Sequence, residues 1–366
     1  MTTTETSLTT FAHWFPLVPR PRPVALPVTD RIAALQAGAE RAQQDHGDLA
    51  AATAVLNKAA LLLSDTGHPD DARDLCWRQF EIFRQHAPLP GTQVTWALQP
   101  VVNIARLLIR AGQGEQAHAI LRSLHHAATH PGAVVIDGVP LDVDQLAVPG
   151  AAPEVARFTW TTLLADGTRA LTSAGRWAEA TSYAEQHRGI GARLFDGRQA
   201  AILAQLDAHE PDQALNLLDE TRIEEPWEHA VAACLRNACL TSAGRFADLD
   251  LDDFVALITA LDPAPALVVF RIRATLLLLQ HTTARADQLT GIVDGLVSQA
   301  DGYTARDLLA AGAALVTLTD TNRRALSTVL DASVTQATLP LEAVEQVMDA
   351  AHTAEQALDD ALRRIP

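Results

Sequence analysis

The segment 189–199, GIGARLFDGRQ, combines glycines with ionic side chains and is the first candidate for chemistry. Two glycines in a loop before a helix can expose backbone N–H groups to an anion, and Arg193, Asp196 and Arg198 would follow on that helix. If the chain catalyses a reaction, Asp196 is the candidate acid or base, and Arg193 or Arg198 is the candidate anion holder. The segment lacks the GxxxxGK[ST] pattern and no parallel sheet precedes it, so a loop before a solvated helix start is the competing interpretation.

A group of histidines between residues 118 and 130 could begin a metal site. His126 and His130 are four residues apart and share one face of a helix, as two zinc ligands can. No glutamate joins them in an HExxH arrangement, and histidines near a helix C-terminus commonly serve the helix dipole. We interpret the group as structural or solvated histidines, namely His118, His125, His126 and His130.

The acidic motif DDARD at 70–74 is similar to the Asp-rich motif of all-helical terpene cyclases, in which Mg²⁺ bridges carboxylates and a substrate diphosphate. Here Asp70 and Asp71 follow Pro69 at a predicted helix start, where carboxylates cap free N–H groups and favour the helix dipole. No second metal-binding motif follows at a sensible distance. We therefore predict helix capping at this motif, no metal site and no cofactor.

Composition and charge narrow the classes of function. The net charge is −16, and no basic stripe is present, which disfavours nucleic acid as a partner. No run approaches the roughly 20 uncharged apolar residues of a membrane span, and the N-terminus lacks a signal peptide. Cys76, Cys234 and Cys239 have neither CxxC spacing nor a disulfide framework, so we interpret them as buried apolar residues. We expect a cytoplasmic protein that binds neither nucleic acid nor a membrane.

A turn residue followed five residues later by alanine recurs along the helical part of the chain. The turn residue closes one helix in a left-handed conformation, and the small alanine lets the next helix approach closely. The pairs are Gly67 with Ala72, Gly112 with Ala117, Gly175 with Ala180, His209 with Ala214, His281 with Ala286, and Asp320 with Ala325, whereas Gly244 is followed by Leu249. This pattern encodes helix packing rather than chemistry.

The segments GQGEQAHAIL at 112–121 and GRWAEATSYAE at 175–185 resemble the turn and second helix of tetratricopeptide repeats. Gly175, His209 and Gly244 are spaced by 34 and 35 residues, against a family period of about 34. Other intervals are longer, and most of the family's aromatic and proline positions are missing, so these are degenerate, TPR-like repeats over roughly 45–335. The resemblance implies an all-α, right-handed superhelical solenoid of antiparallel helix pairs.

Five segments are predicted. Residues 1–27 contain five prolines and should form an extended arm, which Phe11, Trp14 and Phe15 could anchor on the body. Helical repeats follow at 28–131 and 151–338, and residues 339–366 form a capping helix. Between the repeats, AVVIDGVPLDV predicts a short β-hairpin within 132–150, because an Asp-Gly step separates two apolar runs. This insertion could be a lid or a partner contact, or it could simply cover apolar surface.

The resemblance also implies which residues face a groove, because the first helix of each repeat lines the concave surface in that family. Counting back from the turn residues places Asn57, Gln99, Arg106, Arg169, Asp196 and Gln199 towards this groove. Trp160 and Trp227 would flank it, and such a surface suits a peptide or a polar small molecule. The competing interpretation is that the tryptophans fill gaps between alanine-rich helices.

Three functions remain open. The first is a regulatory module that binds a basic or amphipathic peptide or protein, as TPR-like parts of bacterial regulators do, but without its own DNA-binding domain. The second is an enzyme or accessory factor of bacterial secondary metabolism with a pocket on the concave face, where a small molecule would bind. The third is a scaffold that forms a homodimer through the apolar stripe of the last helix, although that stripe could equally cap the last repeat.

Overall fold

The computed structural model describes residues 11, 13–44, 48–245, 249–280, 282, 286–315, 317–333 and 338–364. These residues are mostly helical, and the sheet they contain is a single antiparallel hairpin. The predicted all-α class with one hairpin is therefore confirmed. Among the described residues, no helix is both long enough and apolar enough to span a membrane.

The chain divides into two compact units, each assembled from two separate stretches of sequence. Unit 1 consists of Met1–Leu26 and Leu171–Ser333, and unit 2 consists of Pro27–Ala170 and Val334–Pro366. The sequence division into consecutive segments does not reproduce these groupings. Helical periodicity identifies which face of a helix is apolar, but it carries no information about which distant segment covers that face.

In unit 2, most helices pack against the next helix along the chain. Its helices are α1 (Val28–Gln44), α2 (Leu49–Asp65), α3 (Pro69–Gln85), α4 (Gly91–Arg110), α5 (Gly114–Thr129), α6 (Val143–Leu146) and α7 (Ala152–Thr162). A π-helical turn, Leu163–Gly167, continues α7 into α8 (Thr168–Ser173), which ends in unit 1.

The last helix of the chain belongs to unit 2, where it covers the first helices. This helix, Leu341–Leu362, is α18, and it packs on α1 and α2. Val347, Ala351, Ala354 and Leu358 are fully buried. The apolar stripe proposed for a dimer or for the last repeat is thus occupied by the start of unit 2.

Unit 1 contains the remaining helices around a second core. They are α9 (Trp177–Gln186), α10 (Asp196–Asp207), α11 (Pro211–Asp219), α12 (Pro226–Ser242), α13 (Leu251–Thr259), α14 (Val268–Leu279), α15 (Ala286–Ser298), α16 (Gly302–Leu315) and α17 (Asp320–Ser333), with a 3₁₀ turn at Pro265–Leu267. Phe11, Trp14, Phe15 and Leu17 of the N-terminal arm are buried in this same core.

The prediction of an extended arm over residues 1–27 is wrong for the first described residues of the arm. Phe11, His13 and Trp14 are helical, whereas residues 15–27 contain neither helix nor strand. The prolines begin at Pro16, so the backbone restriction that they impose acts only on the later part of the arm.

The recurrent turn is present at five of the predicted positions. Gly67, Gly112, Gly175, His209 and Gly244 all have positive φ, between 61° and 81°. At each of them the following N–H group bonds to the carbonyl five residues back, at 2.8–3.0 Å, which is the Schellman arrangement. Ala72, Ala117, Ala180 and Ala214 are fully buried, as close helix packing requires.

The turn pattern does not extend to the end of the chain. Asp320 was predicted to be a turn residue, but it is the first residue of α17, and Ala325 is exposed. That prediction is wrong, because an aspartate at a helix start interacts with the free N–H groups and does not need the left-handed conformation. His281 lies outside the described residues.

The predicted hairpin is confirmed. Strand β1 (Val134–Ile136) pairs with β2 (Val139–Leu141), with Ile136 opposite Val139. Asp137 and Gly138 form the two-residue loop, with φ of 57° and 79°. Two successive positive φ values are typical of a type I′ turn, which Asp-Gly favours.

Candidate functional site

Gln199 on α10 holds the backbone of the N-terminal arm. Its side-chain oxygen accepts a hydrogen bond from the N–H of Leu17 at 3.0 Å, and its amide nitrogen donates to the carbonyl of Leu17 at 2.9 Å. The same nitrogen also donates to the carbonyl of Leu194 at 2.7 Å, which fixes the side chain in place. Gln199 is 1% exposed. One glutamine therefore satisfies both backbone groups of a residue far away in sequence.

Side chains of the arm are recognised on either side of Leu17. The ring of Phe15 meets the ring of Trp177 edge to face, with centroids 5.4 Å apart. On the other side, Arg20 forms an ion pair with Asp196, the first residue of α10. An aromatic contact, two backbone hydrogen bonds and an ion pair thus follow each other along one segment that is neither helix nor strand.

The backbone of the arm is bonded again nearer its end. The N–H of Arg22 donates to the carbonyl of Ala266 at 3.1 Å. The N–H of Ala25 donates to the carboxylate of Asp301 at 2.9 Å, and the carbonyl of Ala25 accepts from the N–H of Gly302 at 3.2 Å. We call the surface made by Trp177, Asp196, Gln199, Ala266, Asp301 and Gly302 the arm-binding surface.

The first turn of α10 requires a glycine at position 197. A Cβ atom at this position would overlap the backbone carbonyl of Gly189, which lies in the loop before α10. This close approach brings the 189–199 segment across the start of α10. The glycine at 197 therefore serves backbone packing, and Asp196 beside it serves the arm.

Arg193 is neutralised by carboxylates of unit 1. It pairs with Glu224 at 3.1 Å, with Glu225 at 2.8 Å and with Glu228 at 2.9 Å. Hydrogen bonds to Glu228 and Glu225, more than the opposing desolvation, raise the pKa of Arg193 above its usual value. Arg198 donates to the carbonyl of Leu217 at 2.6 Å. Both candidate anion holders are thus engaged within the protein.

Glu228 is fully buried and organises the start of α12. Its carboxylate accepts hydrogen bonds from the backbone N–H groups of Glu224 and Glu225, both at 2.9 Å, and of Leu194 at 3.3 Å. Burial acts to raise the pKa of Glu228, but these bonds and those from Arg193 hold it below the ordinary value. The sequence pointed to Arg193 but gave no sign of this partner.

Three of the predicted groove residues meet in unit 2. Asn103 on α4 donates to Asn57 on α2 at 2.9 Å and accepts from Gln99 at 3.1 Å. Arg106 donates to Asn103 at 3.3 Å and pairs with Asp166 at 2.8 Å. Asp166 lies in the π-helical turn, a feature that is frequent at functional sites. We call this row the polar strip of unit 2.

Trp160, Arg169 and Trp227, the remaining predicted binding residues, belong neither to the arm-binding surface nor to the polar strip. Trp160 on α7 is 38% exposed, and Arg169 is exposed on α8. Trp227 is 8% exposed and packs against Phe270 and Phe195, with ring centroids 6.2 and 5.9 Å apart. Trp227 therefore fills core space, as the competing interpretation has it.

The predicted set is divided between the units. Asn57, Gln99, Arg106, Trp160 and Arg169 belong to unit 2, whereas Arg193, Asp196, Arg198, Gln199 and Trp227 belong to unit 1. The residues that the sequence did not single out are the partners: Asn103 and Asp166 in the polar strip, Glu228 beside Arg193, and Arg20 opposite Asp196. In the sequence each of these is an ordinary polar residue, and only the fold shows which residue it contacts.

The histidines at 118–130 and the aspartates of the DDARD motif are the residues that could have ligated a metal ion. The rings of His126 and His130 stack with centroids 4.2 Å apart, and His125 contacts the hydroxyl of Thr159 at 3.0 Å. Asp70 and Asp71 lie in the first turn of α3. Within the described residues, no group of three or more His, Cys, Asp or Glu side chains is placed to hold a metal ion.

The three cysteines are buried and unpaired, as predicted. Burial raises the pKa of Cys76 and of Cys239 to about 12 and raises that of Cys234 as well. Because the thiolate is the reactive form, none of the three thiols is activated for nucleophilic chemistry.

A cleft of about 450 Å³ lies between the hairpin, α3 and α18 in unit 2. Its lining is mainly apolar, with Trp77, Phe80, Ile82 and Val139 beside the ionic residues Arg78, Glu81 and Glu355. The ionic residues at this cleft pair with one another or with neighbours: Arg78 with Glu355, and Glu81 with Arg84. No sequence signal indicated this cleft.

Comparison of the chain with models of known protein families, with curated proteins and with solved structures finds no match. Function must therefore be argued from the contacts themselves.

Proposed function

We propose that this protein is a peptide-binding interaction module, a TPR-like solenoid of right-handed superhelical sense, and that the arm-binding surface of unit 1 recognises an extended, proline-containing segment. The observation that carries the proposal is the pair of hydrogen bonds between Gln199 and the two backbone groups of Leu17. Any residue other than proline presents the same two groups in an extended peptide, so this contact recognises a backbone rather than one particular side chain.

The chemistry of the arm supports this reading. Among its described residues, the arm makes only local backbone bonds within itself, from the N–H of Arg20 to the carbonyl of Val18 at 2.8 Å and from the N–H of Leu26 to the carbonyl of Val24 at 3.0 Å. As in other proline-rich segments, the remaining carbonyls and N–H groups are available to a partner surface. The surface supplies partners at Leu17, Arg22 and Ala25. Phe15 and Arg20 add an aromatic and a cationic anchor, which suggests the pattern Phe-Pro-Leu-x-x-Arg for a ligand.

The repeated turns support the TPR-like part of the proposal. In five helix pairs the first helix ends with a residue in the left-handed conformation and with the same type of hydrogen bond, and four of these pairs bury the predicted alanine. Most successive helices pack on one another within each unit, as stacked helix pairs do.

A catalytic pocket receives less support. Arg193 has three carboxylates around it, Arg198 donates to a carbonyl, and Asp196 pairs with Arg20. An acid, a base or an anion holder must have its reactive group free for substrate, whereas these groups have partners within the protein. The second alternative, a scaffold that dimerises through α18, has its stripe occupied by α1 and α2.

The test is the binding of a fluorescent peptide with the sequence of residues 11–26 to the full-length chain, followed by fluorescence anisotropy. The chain's own arm competes at an effective concentration on the order of millimolar, so binding to the native chain should be weak. The double change Phe15→Ala with Arg20→Ala weakens the internal arm and leaves the surface intact. We expect this variant to bind the added peptide at least tenfold more tightly.

Two further variants locate the site. Gln199→Ala in the arm-weakened chain should abolish peptide binding, while Gln205→Ala on the same helix should leave it unchanged. A peptide of scrambled sequence should not bind. If the arm-weakened chain keeps its helical circular dichroism but gains no affinity for the peptide, the arm is a core element alone and the proposal is wrong.

A further inference from the structure

A second feature of unit 1 is a cluster of three arginines, Arg22, Arg273 and Arg306, beside one face of α16. Tyr303, Arg306 and Asp307 follow each other at i, i+3 and i+4, so their side chains are neighbours. The guanidinium of Arg22 stacks over the ring of Tyr303, 4.0 Å from its centroid. Arg273 on α14 donates to Asp307 at 2.7 Å, and Arg306 approaches the same carboxylate at 3.4 Å.

The charges in this cluster do not balance. Two guanidinium groups, those of Arg273 and Arg306, contact Asp307, and a third, that of Arg22, lies over the neighbouring Tyr303 ring. The nearby Asp301 is already bonded to the backbone N–H groups of Ala25 and Thr304. Burial lowers the pKa of Arg273; Asp307 opposes this, and the like charges of Arg22 and Arg306 add to it. The chain as a whole has 44 acidic against 28 basic residues, so a local excess of arginine is unusual for it.

Two of the three arginines have donors to spare. Within the described part of the chain, Arg22 has no hydrogen-bond acceptor for its guanidinium, and Arg306 has only the distant contact to Asp307. The side chain of Arg306 is 34% exposed, and Arg22 is half-buried. A guanidinium carries five N–H donors in a planar fork that matches the oxygens of a phosphate or carboxylate group.

We propose that Arg22 and Arg306 bind a doubly charged oxyanion of the phosphate type over the Asp307 side of α16, with Arg273 adding positive charge from beneath. Such an anion would relieve the repulsion among the guanidinium groups and fill their empty hydrogen-bond positions. Because Arg22 belongs to the arm and Arg306 to α16, the bound anion would also tie the arm to the helix. This proposal does not depend on peptide binding at the arm-binding surface.

The test uses the full-length chain and follows its thermal midpoint with inorganic phosphate, pyrophosphate and phosphoserine, each against sodium chloride of the same ionic strength. We expect a saturable rise with at least one phosphate compound and none with chloride. The three compounds distinguish a free phosphate from a phosphate carried on another molecule.

Single changes assign the effect to the cluster. Arg22→Gln and Arg306→Gln should each weaken the apparent affinity about tenfold, and Arg306→Lys should weaken it less because the charge remains. Arg323→Gln, which removes an exposed arginine from α17, should bind as the native chain does. Equal stabilisation by chloride would overturn the proposal, and so would an affinity of the Arg22→Gln and Arg306→Gln variants equal to that of the native chain. Circular dichroism and the midpoint without anion verify that each variant is folded.

Discussion

At the scale of single residues, the buried carboxylate of Glu228 links stability to pH. Burial tends to raise its pKa, yet Arg193 and three backbone N–H groups hold the pKa below the ordinary value of 4.5. A lowered pKa in the folded state means that ionised Glu228 stabilises the fold above the unfolded-state pKa. This contribution must be lost as the pH falls through the lower, folded-state pKa.

We therefore expect Glu228→Gln to reduce the free energy of unfolding by about 1–3 kcal/mol near neutral pH, because N–H donors and Arg193 lose their charged acceptor. The deficit relative to the native chain should shrink as the pH falls from about 4.5, where the unfolded chain begins to bind the proton, through the lower pKa of the folded state. Urea unfolding across that range measures both. Glu185→Gln, an exposed position on α9, is the matched control, and an equal loss in both variants would contradict the assignment.

The residues of the 189–199 segment illustrate what sequence can supply at this scale. The density of glycine and charge singled out this segment as a candidate for chemistry, and in the structure its residues Asp196 and Gln199 contact the arm. Their partners, Arg20 and Leu17, lie 176 and 182 residues away, and no spacing rule connects such positions. The sequence shows which side chains can form ion pairs or hydrogen bonds, but the fold decides which residue each of them contacts.

At the scale of elements, the hairpin is fastened to α3 through its turn. Asp137 accepts hydrogen bonds from Arg73 and from the indole nitrogen of Trp77, the latter at 2.9 Å. Burial acts to raise the pKa of Asp137, but these donors lower it. The hairpin was predictable because the turn chemistry of Asp-Gly is local, but its attachment to α3 was not.

Asp137→Asn should loosen the hairpin while preserving its turn, because asparagine tolerates positive φ as well as aspartate does. Loss of the charged acceptor is expected to reduce the free energy of unfolding by about 1 kcal/mol and to accelerate amide exchange in β1 and β2. Hydrogen exchange followed by mass spectrometry measures the second effect. Asp144→Asn, on the neighbouring short helix, supplies the comparison, and unchanged exchange in the Asp137 variant would show that the contact does not hold the hairpin.

At the scale of the whole molecule, the sequence predicted local helix features but not which distant segments pack together to close each unit. Turn residues marked the junctions of five helix pairs, because the left-handed helix end depends on consecutive residues. The same signals could not reveal that α18 returns to cover α1 and α2, or that the N-terminal arm enters the core of unit 1. An apolar stripe states only that a face must be covered.

The closure of unit 2 by α18 predicts that one buried position on this helix governs the stability of that unit. Ala354 is fully buried in the stripe, whereas Gln356, two residues later, is exposed. Ala354→Glu introduces an unpaired carboxylate against α1 and α2, and we expect it to cost about 3 kcal/mol or more. Gln356→Glu adds the same charge to the same helix at the surface and should change stability by less than about 0.5 kcal/mol. Chemical unfolding of both variants measures their stability, and proteolysis locates the exposed segments. Equal stability of the two variants would mean that α18 does not close unit 2 in solution. Selective cleavage within α1 and α2 of the Ala354→Glu variant would mean that it does.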